Sequence, residues 1–295
     1  MTPARANAVA LLAALAWGMG NVSQKTILDH LDGFSAAGLT SFVGAIVLWP
    51  VLQREQRQAQ PANAGSLPLV IIVSGLFTLA SVVMQFGYGH TSVTNAGFLA
   101  NTSAAMTPII GWVCFAHRPP PMIWLACLCT LLGVFLMAGG TLAGLTFGDG
   151  LALIAALAFA FWTLFLGKYV MQYRRPIFIT ITQLLVCGAI CLCMSALTYG
   201  LPPPAAVLAA WPEIILLGAM SKGFAYVLNA TAQQHIPAAC AAVIISAEAV
   251  FGSLTAMVFL DESLSFVRGI GAACIVVGVI IAATLPVAAA PARTA

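Results

Sequence analysis

The chain has 295 residues, of which 61% are hydrophobic and only 6% charged, and its net charge is +3. With a mean hydropathy of +1.02, this composition excludes a soluble domain, which would aggregate in water. It is that of a multi-span membrane protein, whose few Lys and Arg gather in loops and report orientation rather than nucleic-acid binding.

Ten apolar spans are predicted, at residues 6–24, 35–52, 67–87, 94–116, 122–140, 150–167, 176–199, 211–232, 237–260 and 266–286. All read as helices, because they lack period-2 alternation and lipid requires each segment to satisfy its own backbone. Arg5, the apolar run after it and Ala14-Leu15-Ala16 imitate a signal peptide. The run continues past Trp17 to about Gln24, however, which is long enough to span. Breakers such as Pro61, Pro119-Pro120-Pro121, Gly139-Gly140, Pro202-Pro203-Pro204 and Pro237 fall between spans. All eight cysteines fall within spans, where they read as small apolar filler rather than metal ligands.

Loop charges set the expected orientation. With the N-terminus inside, cytoplasmic segments hold Arg5, Arg54, Arg57, Arg118, Lys168, Arg174, Arg175 and Arg293, against Lys25 and Arg268 outside. The positive-inside rule then places both termini in the cytoplasm and the chain in the cytoplasmic (inner) membrane.

Two halves are expected, 1–145 and 146–295. Ala13-Ala14-Leu15-Ala16-Trp17 recurs as Ala155-Ala156-Leu157-Ala158-Phe159, and Leu132-Gly133-Val134 as Val277-Gly278-Val279. Five spans per half would invert the second half. Basic His117-Arg118 after the fourth span, against acidic Asp261-Glu262 after the ninth, agrees with that inversion. The predicted fold is thus all-α, ten transmembrane helices as two inverted five-helix repeats, an organisation that places binding sites at the midplane.

Two charges interrupt the apolar spans. Lys222 lies half-way along the eighth and Glu248 half-way along the ninth. A charge at a helix centre costs roughly 2.5–3.5 kcal/mol on insertion scales, so such residues pair or face a water-filled path. Either they bind a zwitterionic substrate and respond to it, or they form a permanent salt bridge. Alignment of the halves sets Leu79 and Thr107 opposite them, so the first half has no equivalent charged pair.

Trp17-Gly18 with Asn21 and Lys25, Pro108 in the fourth span, and Phe259-Leu260-Asp261-Glu262 followed by Gly271 and Gly278 resemble EamA-type members of the drug/metabolite transporter superfamily, with the YddG-like aromatic amino acid exporters as the nearest branch. The resemblance covers the whole chain. It implies a carrier with a central cavity, commonly an exporter of amino acids or other small metabolites. Ala249 stands where a proline is common, so a bend is expected at Pro108 without a counterpart in the ninth span.

The remaining candidate substrate-binding residues are polar or aromatic and deep: Trp17 and Asn21 on one face of the first span, Gln85 and Tyr88 in the third, Asn101 in the fourth, Trp162 and Thr163 in the sixth, and Tyr226 and Asn229 following Lys222. Each has a bland alternative, interhelical glue for the amides and an interfacial anchor for Tyr88. Small residues at Gly269 and Ala273 hint at a homodimer, the alternative being a monomer. The absence of GxxxxGK[ST] and HExxH motifs argues against ATP-driven pumping and zinc chemistry. The expected partners are a small-molecule substrate, such as an amino acid, and the lipid bilayer, with no nucleic acid, cofactor or metal. Rival readings are a scaffold, an enzyme or a channel.

Overall fold

A computed structural model of the chain describes residues 1–58, 66–91, 93–116, 118–139, 146–260 and 265–285. His117, Pro61, Gly140, Asp261, Glu262 and Arg293 lie outside the described residues. The helices are α1 (Pro3–Thr26), α2 (Gly33–Gln58), α3 (Leu67–His90), α4 (Val93–Asn101), α5 (Ser103–Phe115), α6 (Pro121–Met137), α7 (Phe147–Tyr173), α8 (Pro176–Thr198), α9 (Pro204–Ala209), α10 (Trp211–Leu216), a π-helical segment (Leu217–Ala225), α11 (Tyr226–Gln233), α12 (Ala238–Ile245), α13 (Glu248–Leu260) and α14 (Phe266–Thr284).

Several prolines start helices. Pro3, Pro121, Pro176 and Pro204 stand at the first position, where a missing N–H costs nothing. Thr146 and Asp149 form a capping box at the start of α7. Among the described residues eight helices are long and apolar enough to cross a membrane, or nine if α1 and its bent continuation count as one span. The span predicted at 122–140 is the 17-residue helix Pro121–Met137, at the lower limit for crossing.

Packing follows a two-fold pattern. α6 crosses α14 and α2 crosses α8. Around them the contacts come in mates: α3 on α7 with α1 on the α10–α11 span, α3 on α8 with α2 on the π-helical segment, α7 on α5 with α1 on α13, and α7 on α4 with α1 on α12. Exchanging each span for the one five places along maps each of these contacts onto its mate. The α6–α14 crossing shows this at the level of atoms. A Cβ built on Gly133 would stand 2.5 Å from the Gly271 carbonyl oxygen, and one on Gly278 would stand 2.8 Å from that of Ala126. A shift of 145 residues turns the first pair into the second. The small residues that seat α14 inside the chain are therefore Gly271 and Gly278, whereas Ala273 is exposed. Large side chains such as Ile46, Ile71, Val113, Leu128 and Leu197 face outward, as a lipid-facing surface allows.

Candidate functional site

Two spans are interrupted at the midplane. The fourth breaks at Thr102 and the ninth at Ser246-Ala247, positions 144 residues apart and so equivalent in the repeat. Pro108 lies inside α5, beyond the break at Thr102, and the ninth span, expected to lack a counterpart of the Pro108 bend, is interrupted at the equivalent place. Side chains competing with the backbone supply the reason. Thr102 Oγ1 donates to the Leu99 carbonyl at 2.6 Å, and Ser246 Oγ to that of Ala242 at 3.2 Å. Both chains then tighten into i→i+3 bonds, Thr102 N–H to Leu99 and Ser246 N–H to Val243. The same shift makes Thr78 and Ala104, rather than Leu79 and Thr107, the mates of Lys222 and Glu248.

Lys222 sits in the π-helical segment, a geometry frequent at functional sites. Glycines permit its close seating: a Cβ on Gly44 would stand 2.9 Å from the Gly218 oxygen and from Lys222 Cβ. The lysine is 6% exposed. Its Nζ donates to Ser81 Oγ at 3.2 Å and lies 5.1 Å from the centre of the Phe77 ring and 5.6 Å from that of Tyr226, within cation–π range. Tyr226 meets Trp17 and Phe77 edge-on at 4.9 Å and Trp162 at 5.4 Å. Trp162 Nε1 donates to Gln183 Oε1 at 2.8 Å, and Phe159 lies against the same indole. An aromatic box drawn from four spans therefore presents two of its rings, Phe77 and Tyr226, to an ammonium.

Glu248 opens α13, where the unpaired N–H groups of the helix start favour a negative charge. Asn101 Nδ2 donates to Glu248 Oε1 at 3.2 Å and to its own helix at the Gly97 carbonyl, 2.8 Å away. The carboxylate residue is partly exposed. Lys222 and Glu248 thus hydrogen-bond to different partners, and among the described residues no salt bridge joins them. The permanent-pair reading does not describe this structure.

Other candidates fall around this centre. The Asn21 amide lies 3.5 Å from where a Gly252 Cβ would stand, against α13. Gln85 Nε2 donates to the Gln24 carbonyl, and the Tyr88 carbonyl accepts from Lys25 Nζ at 2.9 Å, so this pair ties α3 to the end of α1. Thr163 is buried beside Trp162. Asn229 is fully buried and accepts from Gln233 at 2.9 Å, apart from the box. Phe77, Ser81, Phe159 and Gln183 were not foreseen. The spacing of Phe77 and Ser81, four apart on α3, was the available signal. Among the described residues no group of three or more His, Cys, Asp or Glu gathers.

Inverted repeats, spans broken at the midplane and an unpaired buried ammonium define a multi-pass membrane transporter. The sequence profile of the EamA-like transporter family matches residues 4–139 and 146–284, and the chain belongs to that family. It is similar to an uncharacterized transporter of Archaeoglobus fulgidus, at 26% identity over 280 residues, covering 92% of this chain and 83% of that one. It is also similar to the uncharacterized transporter YetK of Bacillus subtilis, at 23% identity, covering 92% and 85%. A solved crystal structure shares the fold with a TM-score of 0.78 at 16% identity, covering 94% of this chain and 95% of the other.

Proposed function

We propose that the protein is a secondary carrier that exports small zwitterionic metabolites, amino acids with aromatic side chains foremost, by alternating access across the cytoplasmic membrane with both termini in the cytoplasm. The observation that carries this reading is the pair of separate, opposite charges beside an aromatic box. Among the described residues Lys222 has no acid partner, and it is suited to a carboxylate, Glu248 to an ammonium, and the rings of Trp17, Phe77, Trp162 and Tyr226 to an apolar or aromatic side chain. A lone buried ammonium is costly unless a ligand repays it, which favours transport over a scaffold. Export as the direction rests on the family resemblance, and the energy source is the substrate gradient or coupled protons.

Counterflow in proteoliposomes tests the reading. Vesicles preloaded with unlabelled phenylalanine should accumulate labelled phenylalanine saturably, with threonine and a nucleobase as weaker competitors. Folded protein that gives no accumulation would remove aromatic amino acids from the proposal.

A further inference from the structure

The two-fold pattern of packing fails most clearly at one place. α5 packs on α12, between the midplane and the face that carries the N-terminus; on that face the N-terminal ammonium lies 3.3 Å from His235 Nε2. Their mates, α13 and α4, hold the equivalent positions toward the opposite face, yet among the described residues they barely meet. The hydrogen bond that joins them is Asn101 Nδ2 to Glu248 Oε1, at the midplane end of both. One turn farther out on α4, a Cβ built on Gly97 would meet nothing within 4 Å.

The closed half shows what the open half becomes when the repeats exchange roles. Under the 144-residue shift, Gly97 is the mate of Ala241 and Glu248 the mate of Ala104, and Ala241 and Ala104 are 0% and 1% exposed in the closed half. Resting on the carrier reading above, we infer that Glu248 is a charge lock: α4 closes on α13 across Gly97 only once the carboxylate is neutralised, by a proton or by the cationic group of a ligand.

Closure would bring Glu248 into a position that an alanine fills in the other half. A bare carboxylate cannot be sealed there without a compensating partner. The groups facing it are Asn101 from α4, Tyr88 from α3 and Tyr226 from α11, with Gly18 and the Asn21 amide on α1, the helix packed on α13. None of them carries a positive charge, and Lys25, farther along α1, gives its Nζ to the Tyr88 and Thr91 carbonyls. Gly97 fits the same account, because the absence of a side chain leaves room for a close approach.

Alkylation of Gly97→Cys by a membrane-impermeant maleimide, in ligand-free proteoliposomes and against the wild-type protein as blank, tests the lock without assuming any substrate. The added Glu248→Gln substitution keeps the hydrogen bond to Asn101 and removes the charge, so labelling at the same pH should slow by about ten-fold or more. Glu248→Asp, which keeps the charge, should label like the Gly97→Cys parent. Equal labelling with Glu248→Gln, or slowing with Glu248→Asp, would overturn the inference. A failure of phenylalanine counterflow with this labelling pattern intact would fault the substrate assignment and leave the lock standing.

Discussion

Lys222 Nζ donates to Ser81 Oγ at 3.2 Å, and among the described residues no acid lies against it. A salt-bridged lysine is destabilising to remove, by about 3–5 kcal/mol, because its partner is stranded. Here the opposite holds. Lys222→Met leaves no orphaned carboxylate and relieves an uncompensated buried charge, so the melting temperature in detergent should hold or rise while transport is lost. A large fall in melting temperature would return Lys222 to a structural role.

Glu248→Gln preserves the Asn101 contact and removes the titrating group. Substrate exchange should persist in the variant, whereas accumulation driven by a pH gradient should vanish. Normal pH-driven accumulation would show that Glu248 takes no part in proton coupling.

Tyr226 touches Trp17, Phe77 and Trp162 together. Replacing it with Leu removes aromatic contacts worth roughly 0.5–1.5 kcal/mol each. Phenylalanine affinity in competition assays should therefore fall more than alanine affinity; equal losses would mean that the box does not contact the substrate's side chain.

The α6–α14 crossing has no room for a methyl group at Gly133, with the Gly271 oxygen 2.5 Å from a Cβ there. Gly133→Ala should cost about 1–3 kcal/mol by overpacking, read as a lower melting temperature. Gly75→Ala, placed where a Cβ meets nothing within 4 Å, should be neutral.

His235 lies outside the spans, and burial holds its pKa below the ordinary 6.5, assisted by the N-terminal ammonium and Arg174 and opposed by the Thr231 carbonyl. The folded state therefore prefers the neutral ring. The stability this contributes is present above the ordinary value and is lost as pH falls through the lowered one. Melting temperatures should drop on acidification below about pH 6, and His235→Gln should blunt that drop; an unchanged pH profile would contradict it.

Much of this architecture was legible because hydrophobic length and loop charge are strong signals in a membrane chain. The Gly133 and Gly278 motifs, which revealed the repeat, are the residues through which α6 and α14 meet. Trp17, Trp162, Lys222 and Tyr226 were found by depth and helical spacing, and they do converge. The midplane breaks were not placed correctly, because proline was taken as the only breaker. Thr102 and Ser246, whose hydroxyls return to backbone carbonyls, do the breaking. The π-helical turn around Lys222 left no mark in the pattern of apolar residues. Gly97 was one of 26 glycines, and its place on α4 with empty space beside it, rather than anything in the sequence, sets it apart.

Competition between phenylalanine and its two half-charged analogues, phenethylamine and 3-phenylpropionate, in phenylalanine counterflow measures the central claim most directly. Recognition by Lys222 and Glu248 beside an aromatic box predicts that phenylalanine competes strongly and both analogues weakly, with Lys222→Met abolishing the preference over phenethylamine. If either analogue competes as well as phenylalanine, the charge opposite its missing group does not bind substrate, and the account of the site is contradicted.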